Sequence, residues 1–114
     1  MAVAMLMHWP GVSPHQYDAI MARLNLDVHP AAGAVLHVAS VTDDGLDVCD
    51  VWQTEQSFQG FLAQRLLPAA DDVGLDGQPE IRVVQLHNLF AADPQVIDRI
   101  GALSMPAAVA AWAA

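Results

Sequence analysis

The sequence predicts an α+β domain in which strands and helices alternate, and three observations carry that prediction. Residues 33–54, GAVLHVASVTDDGLDVCDVWQT, contain two apolar runs joined by Thr42-Asp43-Asp44-Gly45, the pattern of two antiparallel strands and their turn. Two other stretches, one after Ser13 and one after Thr54, repeat apolar residues at helical spacing on a single face. Two further apolar runs, at residues 2–8 and 80–90, stand at either end of this set. The order is strand, helix, strand, strand, helix, strand.

Residues 2–8, AVAMLMH, read as the first strand, ended by the turn residues Trp9-Pro10-Gly11. Ser13-Pro14-His15-Gln16 then offers a Ser N-cap, a proline at the first helical position and a glutamine able to close a capping box. Tyr17, Ile20, Met21 and Leu24 follow at i, i+3, i+4 and i+7, which predicts a helix over 14–25. His29-Pro30 places a loop before the hairpin, because the residue preceding proline is steered away from helix. The hairpin occupies 33–53. Thr54 caps a second helix with Glu55 at the positive end of its dipole; Phe58, Phe61, Leu62, Arg65 and Leu66 form its apolar stripe, with Arg65 snorkelling to water. Pro68 predicts a kink, Gly74 the end of the helix, and residues 80–90, EIRVVQLHNLF, the last strand.

With right-handed crossovers this order gives a ferredoxin-like βαββαβ sandwich, a four-stranded antiparallel sheet with both helices on one face. The hairpin is apolar on both faces, so the sheet's other face needs a cover, and a second copy of the sheet is the simplest one. A domain over 1–90 is followed by a C-terminal extension over 91–114. In that extension a short helix starts at Asp93-Pro94 and ends near Gly101; the Ala-rich tail from Met105 is open to three readings, closing a pocket, crossing to a partner subunit or partial disorder, with Val109 and Trp112 favouring docking.

Composition narrows the function classes. Thirteen Asp and Glu stand against four Arg and no Lys, a formal net charge of -9, which disfavours nucleic acid and anionic membranes as partners and removes Schiff-base chemistry. The single Cys49 excludes an internal disulfide framework and reads as a small buried hydrophobe in a reducing cytosol. No signal-peptide pattern opens the chain, and its longest apolar runs fall short of the roughly 18 to 20 residues that span a bilayer. The expectation is a cytoplasmic protein. At 54% hydrophobic and 15% charged residues, the chain has more apolar surface than one small core uses, so a homo-oligomer is expected.

The run Asp50-Val51-Trp52-Gln53-Thr54-Glu55 followed by Phe58 and Phe61, with the closing His87-Asn88-Leu89-Phe90, resembles the dimeric α/β-barrel superfamily near the antibiotic-biosynthesis-monooxygenase-like proteins. The resemblance covers about residues 2–90 in element order. It implies a homodimer whose paired sheets form an α/β barrel and a small aromatic or apolar ligand held between sheet and helices. It also implies, in some relatives, cofactor-independent oxidation of aromatic polyketide intermediates. Haem degradation in this superfamily is marked by an Asn, a Trp and a His, the latter two on helical segments, and the second helix here has no His or Trp.

Candidate chemistry centres on the hairpin. Alternation puts Val35, His37, Ala39 and Val41 on one face of the first strand and Leu46, Val48, Asp50 and Trp52 on one face of the second. A four-residue loop sets His37 across from Asp50, and a two-residue loop sets it across from Trp52 with Asp50 one pair along; a three-residue loop separates them. An imidazole beside a carboxylate suits a general base, so His37 and Asp50 are the candidate catalytic pair, with Trp52 as a stacking wall. The bland alternative is that the two satisfy each other inside a core. Tyr17, Phe58 and Phe61, together with Met5, Met7 and Met21, are candidates to line an adaptable ligand cavity. His8-Trp9 and His87-Asn88, near strand ends, are candidates to bind a polar substituent. His15 and His29 read as exposed. No His pair has metal-ligand spacing, and neither a Gly-rich phosphate loop nor a nucleophile elbow is present. No cofactor is expected.

Two functions follow as expectations. The first is a cofactor-independent monooxygenase acting on an aromatic or polyketide-like metabolite by proton abstraction and reaction with oxygen. The second is a non-catalytic ligand-binding or structural homodimer of the same fold.

Overall fold

The computed structural model describes residues 1–104, and the expected docking residues Val109 and Trp112 lie outside them. Four strands, β1 (Val3–Pro10), β2 (Ala34–Thr42), β3 (Gly45–Trp52) and β4 (Glu80–Gln85), form one sheet in the order β2-β3-β1-β4. Every neighbouring pair is antiparallel. Helix α1 (Pro14–Leu24) joins β1 to β2, and a longer helical segment made of α2 (Glu55–Phe61) and α3 (Leu67–Asp72) joins β3 to β4. This is the ferredoxin-like α+β sandwich the element order predicts. Helix α4 (Pro94–Ser104) follows, three residues longer than expected, with the Asp93 carboxylate accepting from Val96 N–H at 3.2 Å.

The capping signals are realised. Ser13 Oγ accepts from Gln16 N–H at 3.1 Å while Gln16 Oε1 accepts from Ser13 N–H at 2.9 Å, so two donors otherwise left open at the start of α1 are satisfied. Asn25 ends the helix in the left-handed conformation, at φ 51°. Thr54 caps α2 through Ser57 N–H at 3.0 Å. Between α2 and α3, residues Leu62–Leu66 form a π-helical turn in which Leu67 N–H reaches back to Leu62 O. Pro68 explains it: the ring has no N–H and collides with the carbonyl four residues earlier in a regular α-helix, so the turn widens by one residue. The helix then ends at Gly74, φ 76°, with Gly74 N–H on Asp71 O and Leu75 N–H on Ala70 O, the paired bonds of a Schellman cap.

Four expectations need correction. Strand β1 runs on through Trp9 and Pro10 rather than turning there, because Pro10 pairs with Gly45 of β3. Strand β4 stops at Gln85 instead of 90: its partner β1 begins at Val3, opposite Gln85, and after Leu86 N–H reaches Ala2 O no strand among the described residues remains to pair with residues 87–90. Arg65 does not snorkel to water. Its guanidinium donates to the carbonyls of Leu24, His29 and Pro30 at 3.1, 2.7 and 3.0 Å and lies 5.5 Å from the Phe61 ring centre, tying α2–α3 to the end of α1. Cys49 is exposed, because it points to the sheet face that carries no helix among the described residues.

The core lies between sheet and helices. Val3, Met5, Met7 and Trp9 of β1 and Leu46, Val48 and Trp52 of β3 point inward against Ile20, Leu24, Phe58, Ala69 and Ala70. On the opposite face Leu6 is 39% exposed and Val38 51% exposed, around an open groove of about 530 Å³ that also touches His8, Asp47, Cys49 and Arg82.

Candidate active site

The β2–β3 turn decides the site. Thr42 pairs with Gly45, leaving a two-residue loop, Asp43-Asp44, and His37 stands directly across from Asp50. The expectation that a two-residue loop sets His37 across from Trp52 is corrected here: that pairing requires the loop to be shifted one residue along, onto Asp44-Gly45. Only glycine fits at position 45. It sits at φ +130° against β1, where a Cβ would collide with the Trp9 carbonyl and come within 2.7 Å of Gly11 N. At the other end of β2 a bulge between Ala34 and Leu36 makes Val35 the extra residue, so Ala34 and Leu36 reach the cavity and Val35, 52% exposed, does not share the His37 face as expected.

The inward residues of this hairpin make a continuous hydrogen-bonded chain with α1. Asp50 is 8% exposed. Its Oδ2 accepts from Trp52 Nε1–H at 3.2 Å and its Oδ1 lies 2.7 Å from His37 Nδ1. A carboxylate only accepts, so Nδ1 carries the proton, and in the neutral ring Nε2 is an acceptor. Tyr17 O–H donates to that Nε2 at 2.7 Å. The Tyr17 and His37 ring planes are within 3° of parallel at 6.1 Å between centroids, so with this short bond between their polar tips the rings lie edge to edge. Burial, then the negative charges of Asp50 and Asp18, push the Tyr17 hydroxyl up to about 12 from its ordinary 10. Tyr17 is thus a neutral hydroxyl, a donor rather than a tyrosinate.

Around this chain is a cavity of about 90 Å³ between sheet and helices. Tyr17, His37, Asp50, Trp52, Phe58 and Phe61 all line it, together with Met5, Met7 and Met21. Trp52 packs at tilted angles against Phe58 and Phe61, with centroids 5.6 and 5.3 Å away. The remaining wall is nearly all apolar, so the polar chain lies along one side of a hydrocarbon-lined space. The His37 side chain is 42% exposed, which opens the chain to solvent at the β2 edge of the sheet.

Three expected site residues lie elsewhere. His8 alternates to the opposite sheet face and its Nδ1 pairs with Asp47 Oδ1 at 2.8 Å. His87 and Asn88 lie past the end of β4 and are exposed. His15 and His29 are exposed, as expected. Trp9 lines the cavity although the sequence offered it only beside His8; strand alternation sends these neighbours to opposite faces.

No family model matches the chain, and no curated protein is a significant match. Solved structures do match. SnoaB, a cofactor-independent oxygenase from Streptomyces nogalater, aligns at TM-score 0.55 and 18% identity over 77% of this chain and 94% of its own. The ActVA-Orf6 monooxygenase of Streptomyces coelicolor, solved with the ligand nanaomycin D, aligns at TM-score 0.52 and 16% identity over 81% and 92%. NE2512 of Nitrosomonas europaea, a protein of unknown function, aligns at TM-score 0.55 and 18% identity over 81% and 95%. At these identities the likeness establishes architecture, and the chain has the ferredoxin-like fold of the antibiotic-biosynthesis-monooxygenase-like proteins.

Proposed function

We propose that the protein is a cofactor-independent monooxygenase of an aromatic or polyketide-like metabolite, with Tyr17, His37 and Asp50 as its proton relay. The observation that carries this reading is the chain from Trp52 through Asp50 and His37 to the Tyr17 hydroxyl on the wall of an apolar cavity. The oxygenase named among the structures of this fold supports the reaction class.

An anthrone-like methylene illustrates the chemistry. Its acidic C–H proton passes to the Tyr17 oxygen as the Tyr17 proton passes to His37 Nε2, and Asp50 stabilises the imidazolium. The carbanion transfers an electron to O2, and recombination forms a C–O bond and a peroxide anion, which takes the proton back from His37 through Tyr17 to become a hydroperoxide. Loss of the second C–H proton to the same relay with O–O cleavage leaves a carbonyl and expels hydroxide, which takes up that proton and departs as water. Substrate supplies all four electrons and both protons, so no cofactor enters the balance. The exposed edge of His37 keeps the relay in exchange with solvent between turnovers. Trp52, Phe58 and Phe61 stack on the rings, and the three methionines move aside, since about 90 Å³ is below the roughly 300–1,000 Å³ of ligand pockets.

The open sheet face supports a homodimer, the second copy covering Leu6 and Val38. His8, His87 and Asn88, outside the cavity of one chain, belong in this reading only if pairing brings them to it.

The test is oxygen uptake with a panel of anthrones and hydroquinones, repeated for His37→Ala and Asp50→Ala. A loss of roughly a hundred-fold or more in each variant is expected. Absence of turnover, or turnover indifferent to both changes, overturns the reading. The small cavity and the internal satisfaction of the network favour a second one, a non-catalytic homodimer, for which His37→Ala lowers stability and no substrate consumes oxygen.

A further inference from the structure

Trp9 is 2% exposed, and its indole Nε1–H is buried without an acceptor among the described residues. It is the exception in a site whose other polar side chains are paired, and a buried N–H left open costs more than a formed bond returns. Its position is informative. The inward residues of the sheet are stacked in layers: Asp50 is opposite Met5, Val48 opposite Met7, and Leu46 opposite Trp9. Met5 to Trp9 is four residues of strand, roughly 13 Å. Trp9 therefore lies two layers from the His37–Asp50 pair, with the Met7 layer between, on the same cavity.

We infer that the Trp9 indole N–H is a ligand donor, binding an oxygen at the end of the ligand remote from the Tyr17–His37 relay. This deepens the proposed function and rests on it: the ligand is a fused-ring aromatic with oxygen functions towards both ends, longer than a single ring. Met7, unbranched and central, yields to the middle of the ring system.

Calorimetric titration of the full chain with 2,6-dihydroxyanthraquinone, which carries a hydroxyl towards each end, and with 2-hydroxyanthraquinone, the same skeleton lacking the second hydroxyl, tests this. Trp9→Phe keeps the apolar bulk and removes the donor. The variant is expected to bind the dihydroxy compound roughly five- to thirty-fold more weakly and the monohydroxy compound within about two-fold of the parent. Indole proton resonances of the unmutated protein give a second readout independent of the variant's folding. The Trp9 indole N–H should move downfield with the dihydroxy compound and stay in place with the monohydroxy one. Equal weakening of both ligands, no weakening, or an unmoved Trp9 indole resonance on a protein that binds the dihydroxy compound overturns the Trp9 assignment alone. A parent protein that binds neither compound overturns the assignment together with the reading beneath it.

Discussion

Tyr17 is the only tyrosine in the chain, so its ionisation can be followed without interference. Ultraviolet titration of tyrosinate absorbance should give a midpoint near 12. Because burial is the larger cause and Asp50 the next, Asp50→Asn should lower that midpoint only part of the way towards 10. A midpoint at 10 in the parent protein is incompatible with a buried, hydrogen-bonded hydroxyl. The same shift fixes a sign for stability. The folded state holds the proton more tightly than the unfolded chain, so this contribution is fully present below pH 10 and is lost as pH rises towards 12. Tyr17→Phe should therefore flatten the alkaline limb of a urea-midpoint-against-pH curve. Much of this residue-level arrangement was legible in the sequence. A period of two makes His37, Asp50 and Trp52 neighbours for an even loop, and Tyr17 belongs to the inward stripe of α1. The bond from Tyr17 to His37 was not legible, because it depends on where α1 lies across the β2 edge, and no local pattern encodes that placement.

At the scale of elements, two contacts hold the site's supports, and both were hidden from pattern reading. Gly45 looks like an ordinary turn glycine, but it sits at φ +130° where a Cβ would collide with the Trp9 carbonyl, so only glycine fits there. Its pairing with Pro10, and the Gly11 N–H donated to Asp44 O at 3.1 Å, attach this end of the hairpin to β1 in the register that also pairs His37 with Asp50. Gly45→Ala should cost at least about 1–3 kcal/mol from backbone strain alone, measured by urea unfolding, and should disturb the His37 resonances if register slips. Arg65 occupies a stripe position, and its carbonyl partners at Leu24, His29 and Pro30 are brought near only by the fold. Arg65→Ala should cost roughly 2 kcal/mol and shorten hydrogen-exchange protection at the end of α1. An unaltered protection pattern would contradict the role of Arg65 as the tie between the two helical segments. The helix caps were legible by contrast, because Ser13, Thr54 and Gly74 act through bonds a few residues long.

Among the described residues the sheet has one covered and one bare face, and the charge of the chain bears on what the bare face can do. Each chain has a formal net charge of -9, so two chains meeting face to face bring like charge together. The bare face itself is mixed: Leu6 and Val38 are exposed and apolar, His8 is paired with Asp47, and Arg82 is the cation beside Glu80 on β4. Association through it gains from apolar burial and loses from long-range repulsion. Salt weakens the second effect, over a screening length of about 10 Å at 0.1 M, and leaves the first intact. The homodimer proposed above should therefore tighten as sodium chloride rises from 0.01 to 0.5 M, the reverse of an interface held by opposite charges. Sedimentation velocity or light scattering across micromolar concentrations measures this. Val38→Asp places a charge on the exposed apolar part of the face and should give a monomer with unchanged far-ultraviolet circular dichroism. A monomeric parent protein at every salt concentration would mean that the bare face is not an interface between copies of this chain, and a dimer indifferent to Val38→Asp would move the interface elsewhere.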